Sequence, residues 1–151
     1  MSEENPYRVF VTHVFQDDED YQRVFEYLES RDQFFYLTSS DLAKMPASGG
    51  LEAMKEELRE QIKPAEVVIM PITTFETNPD LVRFQMDVAE AFAKPILGVK
   101  SFGDTVAIQK ELIDRCADII EWNERTMIEA IKRLGRNEET AQWEVIDFDL
   151  D

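Results

Sequence analysis

The chain has 151 residues, the usual size of a single domain, and 44% of them are hydrophobic, which is enough to form a core. It carries 32 acidic residues against 16 basic ones, and the resulting charge of −16 repels the phosphate backbone of nucleic acids, so we expect no nucleic-acid partner. No apolar run approaches the ~20 residues of a membrane helix and the polar start lacks the pattern of a signal peptide, so we expect no membrane partner and a cytoplasmic location.

In the first half of the chain, short apolar runs alternate with segments of helical period. A strand is predicted at 8–12, and the helix after it has apolar residues at i, i+3, i+4 and i+7 from Tyr21, with Asp17 or Asp18 as its cap. A second strand is predicted at 33–37. The next helix has an apolar stripe between positions 51 and 62 and stops before Pro64.

The second half continues the same alternation. The run at 66–70 is almost continuously apolar, which predicts a central parallel strand. Asn78 as N-cap, followed by Pro79 at the first helical position, predicts a helix that runs to about residue 93. Further strands are predicted at 96–100 and, as an edge strand, at 117–121. A helix capped by Asp104 is expected between them, and a last helix is expected to end near Gly135.

This order of elements predicts an α/β fold of the flavodoxin-like type. We expect a three-layer sandwich with a central parallel sheet of about five strands and helices on both faces. Residues 1–136 are predicted to form the domain and 137–151 an acidic-aromatic tail. Because apolar and acidic residues nearly alternate in this tail, we expect it to pack on its own domain or on a neighbouring copy, with Trp143 and Phe148 as anchors.

Candidate ligand-binding residues follow from the rule that open parallel sheets bind ligands beyond the carboxyl ends of their strands. The loops that follow the predicted strands supply His13, Asp17, Ser39, Asp41, Thr73 and Phe102. None of these loops has the glycine pattern of a phosphate-binding loop or of a serine-hydrolase elbow. One His and one Cys, far apart in sequence, give no metal-binding pattern.

Gln85 is a polar residue inside an apolar stripe of the helix that starts after Asn78. Its predicted neighbours on one face of that helix are Leu81, Phe84, Val88, Ala89 and Phe92. Two interpretations are open. Either the amide satisfies nearby backbone groups at the end of a strand, or Gln85 faces the ligand crevice.

Six segments, in this order and spacing, are similar to the TIR-like proteins of prokaryotes, relatives of the TIR domains of Thoeris-type defence. They are Val9-Phe10-Val11-Thr12-His13, Asp20-Tyr21, Ile62-Lys63-Pro64-Ala65-Glu66-Val67-Val68-Ile69, Phe84-Gln85-Met86-Asp87-Val88-Ala89, Lys94-Pro95-Ile96-Leu97-Gly98-Val99-Lys100 and Ala117-Asp118-Ile119-Ile120-Glu121-Trp122-Asn123. The resemblance spans residues 8 to 134. It adds Thr12, at a serine of the family's opening motif, and Tyr21 to the candidate ligand-binding residues.

The resemblance implies a flavodoxin-like fold and, for active relatives, cleavage of NAD or its conversion to a cyclic ADP-ribose-type signal. The catalytic residue implied is a glutamate on a helix, and Gln85 occupies its position. A carboxylate can stabilise the oxocarbenium-like charge that develops when the nicotinamide bond breaks, whereas a neutral amide cannot do so as an ion. We therefore expect weak or no NAD cleavage, and the resemblance predicts that Gln85→Glu raises it.

Three functions remain open at this point. The first is a nucleotide-binding or protein-assembly module in prokaryotic signalling or defence, with NAD as a possible ligand and with self-association or another protein as partner. The second is an active enzyme that cleaves NAD or makes a cyclic ADP-ribose-type signal. The third is a nucleoside deoxyribosyltransferase-like enzyme, which shares the fold but also uses a glutamate on a comparable helix.

Overall fold

The computed structural model describes residues 4–102 and 107–137 of the chain, in which strands and helices alternate. The strands are β1 (Tyr7–Val11), β2 (Tyr36–Thr38), β3 (Val67–Pro71), β4 (Ile96–Val99) and β5 (Asp118–Ile120). The helices are α1 (Glu19–Glu29), α2 (Gly50–Ile62), α3 (Ile72–Thr77), α4 (Pro79–Ala91), α5 (Lys110–Arg115) and α6 (Glu124–Arg136), with a short 3-10 helix at Leu42–Lys44.

The five strands form one parallel sheet in the order β2-β1-β3-β4-β5. This arrangement confirms the predicted flavodoxin-like α/β fold, with β5 at an edge as expected. Strand order reverses between β1 and β3, because the chain leaves β1 toward one edge and returns to build the other side. The ligand crevice of such a sheet lies at that switch point, beyond the carboxyl ends of β1 and β3.

Each face of the sheet buries its own apolar cluster. Along β3, Val67 and Ile69 belong to the cluster beneath α1 and α6, whereas Val68 and Met70 belong to the cluster beneath α2 and α4. This separation follows from the two-residue period of a strand. All five positions of β3 are buried, as the sequence predicts for a central strand.

β2 and the segment after β3 differ from the predictions. β2 begins at Tyr36 rather than at residue 33, because 31–34 forms a turn in which the Phe34 amide donates to the Arg31 carbonyl over 3.2 Å. A helix, α3, also occupies 72–77, where only a loop was expected. Its β-branched residues favour extended structure, but Ile72 and Phe75 are almost fully buried, and this packing overrides local propensity.

The helix predicted after Asn78 is α4, and its buried face lies slightly to one side of the predicted stripe. The buried residues are Val82, Gln85, Met86, Val88 and Ala89. Phe92, expected on this face, is 36% exposed just beyond the helix end. Asn78 holds the N-cap position, yet its side chain makes no capping bond to the helix and donates instead to Thr77 Oγ1.

Asp18 is the cap of α1, since its side chain accepts from the Tyr21 amide over 3.3 Å. α6 runs one residue past the predicted end to Arg136, and Asn137 closes it in the left-handed conformation. A Cβ at Gly135 would lie 3.1 Å from Val67 Cγ2, so glycine allows close packing of α6 on β3. Asp104 and the tail beyond residue 137 lie outside the described residues.

In the ranges 4–102 and 107–137, no helix has the length and apolar character that crossing a membrane requires.

Ile69 gives a direct test of the core. Its side chain is fully buried in the central strand, so Ile69→Ala should lower the free energy of unfolding by about 2–5 kcal/mol through lost burial and an unfilled cavity. Ile113→Ala is the matched control, because that side chain is 56% exposed and its loss should cost less than about 0.5 kcal/mol. Urea unfolding of both variants measures the difference, and equal costs would contradict the assigned burial.

Candidate functional site

A cleft of about 230 Å³ lies at the switch point, between the ends of β1 and β3 and the start of α1. Its lining includes Thr12 and His13 after β1, Asp17, Asp18 and Tyr21 around the start of α1, and Thr74, Thr77 and Asn78. The structure therefore brings together four of the predicted ligand-binding residues, namely Thr12, His13, Asp17 and Tyr21. The other predicted residues lie outside this lining.

Gln85 is fully buried and binds the backbone of His13 with both atoms of its amide. Its Oε1 accepts from the His13 amide over 3.1 Å, and its Nε2 donates to the His13 carbonyl over 2.8 Å and to the Leu81 carbonyl over 3.2 Å. The amide thus replaces the partner that a neighbouring strand would have supplied at the end of β1. Of the two interpretations from sequence, these contacts favour the one in which Gln85 satisfies backbone groups.

Gln61 on α2 makes a second contact of the same kind. Its Oε1 accepts from the Asp41 amide over 3.0 Å, and its Nε2 donates to the Asp41 carbonyl over 3.2 Å and to Glu57 Oε2 over 2.9 Å. Sequence reasoning missed Gln61. The available signal was a glutamine between Leu58 and Ile62, two fully buried residues of the α2 stripe.

The His13 ring connects the two glutamines. Its Nδ1 accepts from the Phe15 amide over 3.1 Å, which places the proton on Nε2, and Nε2 lies 2.8 Å from Gln61 Oε1 as its donor. Phe15 has a φ of 63°, the left-handed conformation that turns its amide toward the ring. The side chain is 2% exposed, and burial lowers the pKa of His13 below 6.5. His13 is therefore a neutral residue with both ring nitrogens bonded.

The Tyr21 hydroxyl donates to Ser40 Oγ over 3.2 Å, and Ser40 Oγ lies 2.5 Å from Thr38 Oγ1. Burial raises the pKa of Tyr21, so its phenol stays protonated. The two predicted residues after β2 have structural contacts of their own. The Ser39 hydroxyl donates to the Val9 carbonyl over 3.4 Å, and Asp41 Oδ1 accepts from the Ala43 amide over 2.9 Å.

Thr73 and Phe102, also predicted for ligand binding, belong to a neighbouring group around Arg23. Thr73 Oγ1 donates to the buried carboxylate of Asp20 over 2.8 Å, and Asp20 also forms an ion pair with Arg23. The Arg23 guanidinium lies 4.0 Å from the ring centre of Phe102. This geometry is a cation–π contact, and it gives both side chains a structural role in joining α1 to the segment after β4.

The cleft is acidic. Asp17 and Asp18 are part of its lining, and no Lys or Arg is among the described residues that form it. Asp17 Oδ1 accepts from Gln22 Nε2 over 2.8 Å, so even this carboxylate is partly satisfied within the chain. An anionic group such as a diphosphate would meet repulsion here rather than a matched cation.

Within the described ranges, no three His, Cys, Asp or Glu side chains are grouped closely enough to hold a metal ion.

No protein-family model and no curated protein sequence matches this chain. The similarity to TIR-like proteins therefore remains a resemblance carried by the quoted segments. The fold class rests on the strand order and on the parallel pairing of all five strands.

The contacts of Gln85 change what we expect of Gln85→Glu. A carboxylate at this position would place an oxygen against the His13 carbonyl in a site with no solvent exposure, so we expect a loss of about 3 kcal/mol in the free energy of unfolding. We expect no gain of NAD cleavage. Thermal unfolding and an NAD turnover assay measure the two effects. Gln109→Glu, the same change at an exposed position, is the control and should leave stability nearly unchanged. Raised turnover in a stable Gln85→Glu variant would contradict this account.

His13 should make the protein less stable in mild acid. The pKa of its imidazole is lowered in the folded state, so the unfolded chain binds more protons below about pH 6.5, and the free energy of unfolding should fall as the pH drops from there toward 5. The pKa values of Glu66, Glu90 and Glu111 are also lowered in the folded state. These carboxylates change the free energy of unfolding only below about pH 4.5, which is outside this window. Because His13 is the only histidine, NMR titration of one imidazole reports its pKa directly. A value at or above 6.5 would contradict the neutral, buried assignment.

Proposed function

We propose that this chain is a non-catalytic protein-assembly module of the TIR-like type, acting through its surface rather than through chemistry in the switch-point cleft. The observation that carries the proposal is the position of Gln85, which is fully buried with both amide atoms bound to the peptide groups of His13. A residue in this role holds a loop in place. It is not available to stabilise a charge on a bound substrate.

The dimensions and charge of the cleft support the same proposal. At about 230 Å³ it is smaller than the roughly 300–1,000 Å³ of typical small-molecule sites. Its carboxylates, without a cation among the described lining residues, oppose the phosphates of NAD and of other nucleotides. The families that suggest an NAD-cleaving enzyme or a deoxyribosyltransferase-like enzyme place a glutamate where this chain has Gln85, so both alternatives receive less support.

Exposed apolar side chains in the stretch from the edge strand β2 to the start of α2 favour assembly over other surface functions. Of the six large apolar side chains that are exposed in the described ranges, three fall in this stretch, between residues 37 and 51. They are Leu37, Met45 and Leu51, each at least half exposed. β2 itself has only three residues, so a strand added at its edge would gain few backbone hydrogen bonds. Apolar contact by these side chains would have to supply most of the binding free energy.

We infer that the partner is a second copy of the chain. A formal charge of −16 makes two copies repel each other at low ionic strength, and added salt screens that repulsion while leaving apolar contact in place. Self-association should therefore strengthen as salt rises. The TIR-like resemblance over residues 8 to 134 is the ground for placing such an assembly in prokaryotic signalling or defence.

Substitution of Leu37 tests this surface. We expect light scattering to show association that grows with protein and salt concentration, and Leu37→Lys to abolish it by placing a charge on the edge strand. Ile113→Lys is the matched control, because Ile113 on α5 is 56% exposed against 57% for Leu37, and the change in net charge is the same.

Two outcomes would overturn the proposal. One is a monomer at all salt and protein concentrations. The other is efficient NAD turnover by the unmodified protein, which would move the function back to the cleft and require a carboxylate other than residue 85. Equal loss of association in both Lys variants would mean that general charge, and not the β2 edge, controls assembly.

A further inference from the structure

A groove beside α6 is the second concave surface that bears on function. It has a volume of about 590 Å³ and lies between one face of α6 and the turn that precedes β2. Arg125, Ile128, Glu129 and Lys132 have the spacing i, i+3, i+4 and i+7, so they form one stripe along α6. The opposite wall is the segment 31–34.

The groove has an apolar floor and a polar rim. Phe34 and Ile128 supply the floor and are 6% and 7% exposed. Its cations are Arg31, Arg125 and Lys132, and its carboxylates are Asp32 and Glu129. In a chain with twice as many acidic as basic residues, this lining is unusual because cations outnumber carboxylates.

Lys132 is the cation most open to a further partner. Arg125 pairs with Glu129 at 3.1 Å, and Arg31 lies 3.6 Å from Glu124. Among the residues that the structure describes, Lys132 has no carboxylate within ion-pair distance. An acidic segment that lay in the groove would meet a charge that is not already neutralised.

The tail of the chain has the matching composition and starts at the right place. All 16 basic residues precede residue 138, whereas six of the 32 acidic residues lie in the range 138–151, together with Trp143 and Phe148. Asn137 ends α6 in the left-handed conformation, with its amide bonded to the carbonyl of Lys132, so the helix ends five residues after this member of the groove lining.

The tail is also long enough to follow the groove. From Arg125 to Lys132 the stripe covers about 10 Å along the helix, at roughly 1.5 Å per residue. Fourteen residues follow Asn137, and an extended chain spans about 3.3 Å per residue, so the available length is roughly 46 Å.

We propose that residues 138–151 dock intramolecularly in this groove, with Trp143 and Phe148 on the apolar floor and the tail carboxylates beside Lys132 and the arginines of the rim. The occupant is this chain's own tail. The inference does not rest on the proposed assembly function, since the groove and the β2 edge are formed by different residues.

The experiment uses the full-length chain and the fluorescence of Trp143. There are two tryptophans, so a Trp122→Phe background leaves Trp143 as the only reporter. We expect a blue-shifted emission maximum and reduced quenching by acrylamide. Lys132→Glu should shift the emission maximum and the acrylamide quenching of Trp143 toward the values of an exposed tryptophan. Lys63→Glu, the same charge change at an exposed residue of α2's end, should leave both unchanged.

Concentration dependence separates the possible occupants. Emission that is constant over a wide range of protein concentration supports docking within one chain, whereas a blue shift that grows with concentration assigns the tail to a neighbouring copy and overturns the proposal. A fully exposed Trp143 in the parent, or equal effects of the two Lys→Glu changes, also overturns it.

A second measurement covers the case in which Trp122→Phe disturbs the structure, since the Trp122 ring centre lies 5.6 Å from the Arg23 guanidinium. In the otherwise unmodified chain, Trp143→Ala with Phe148→Ala should raise amide hydrogen exchange in the segment 31–34, because this wall loses its cover. Unchanged exchange there would contradict docking independently of the fluorescence result.

Discussion

The buried hydrogen bonds of two glutamines hold the carboxyl end of the sheet together. Gln85 from α4 pairs with both peptide groups of His13 after β1, and Gln61 from α2 pairs in the same way with Asp41 beyond β2. The His13 ring joins the two by its contact with Gln61 Oε1. One connected network thus fixes two helices and two loops relative to each other, and its members are buried deeply enough that each unmade bond would cost free energy.

This network decides which chemistry the switch-point cleft can perform. Both nitrogens of His13, both amide atoms of Gln85 and the hydroxyl of Tyr21 have partners within the chain. Thr12 Oγ1 likewise lies 3.1 Å from Thr74 Oγ1, which in turn donates to the Pro71 carbonyl. A general acid or base needs an atom free to reach a substrate, and these groups are bonded to one another instead. The same bonds that hold the loops in place occupy the polar atoms of side chains that line the cleft, and this supports the proposal of a non-catalytic role.

The sequence was a good guide to the elements and a poor guide to the contacts between them. The continuous apolar run of β3 and the Asn78-Pro79 start of α4 could be predicted because an apolar run and a proline at the first helical position are local features of the sequence. α3 was missed because burial of Ile72 and Phe75 overrides the extended preference of β-branched residues. That Gln85 is buried could be predicted from its stripe, but its partner is 72 residues away, and no local pattern specifies such a pairing. Gln61 has the same local signal, a polar residue within an apolar stripe, and its partner Asp41 lies 20 residues away.

The distribution of the basic residues explains why the two concave surfaces differ. Arg115 on α5 pairs with Asp87 and Glu90 of α4 and with Glu111, and Arg83 binds Glu111 through its Nε. Arg136 at the end of α6 binds Glu66 and the carbonyls of Asn5 and Pro6, and this arginine lowers the pKa of Glu66. With only 16 cations in the chain, those that join α4 to α5, or α6 to the residues that precede β1 and β3, are not available at the switch point. The switch-point cleft therefore keeps its carboxylates uncompensated, whereas the groove beside α6 retains Lys132. Charge thus disfavours an anionic ligand at the point where the fold would bind one and favours an acidic segment at the groove.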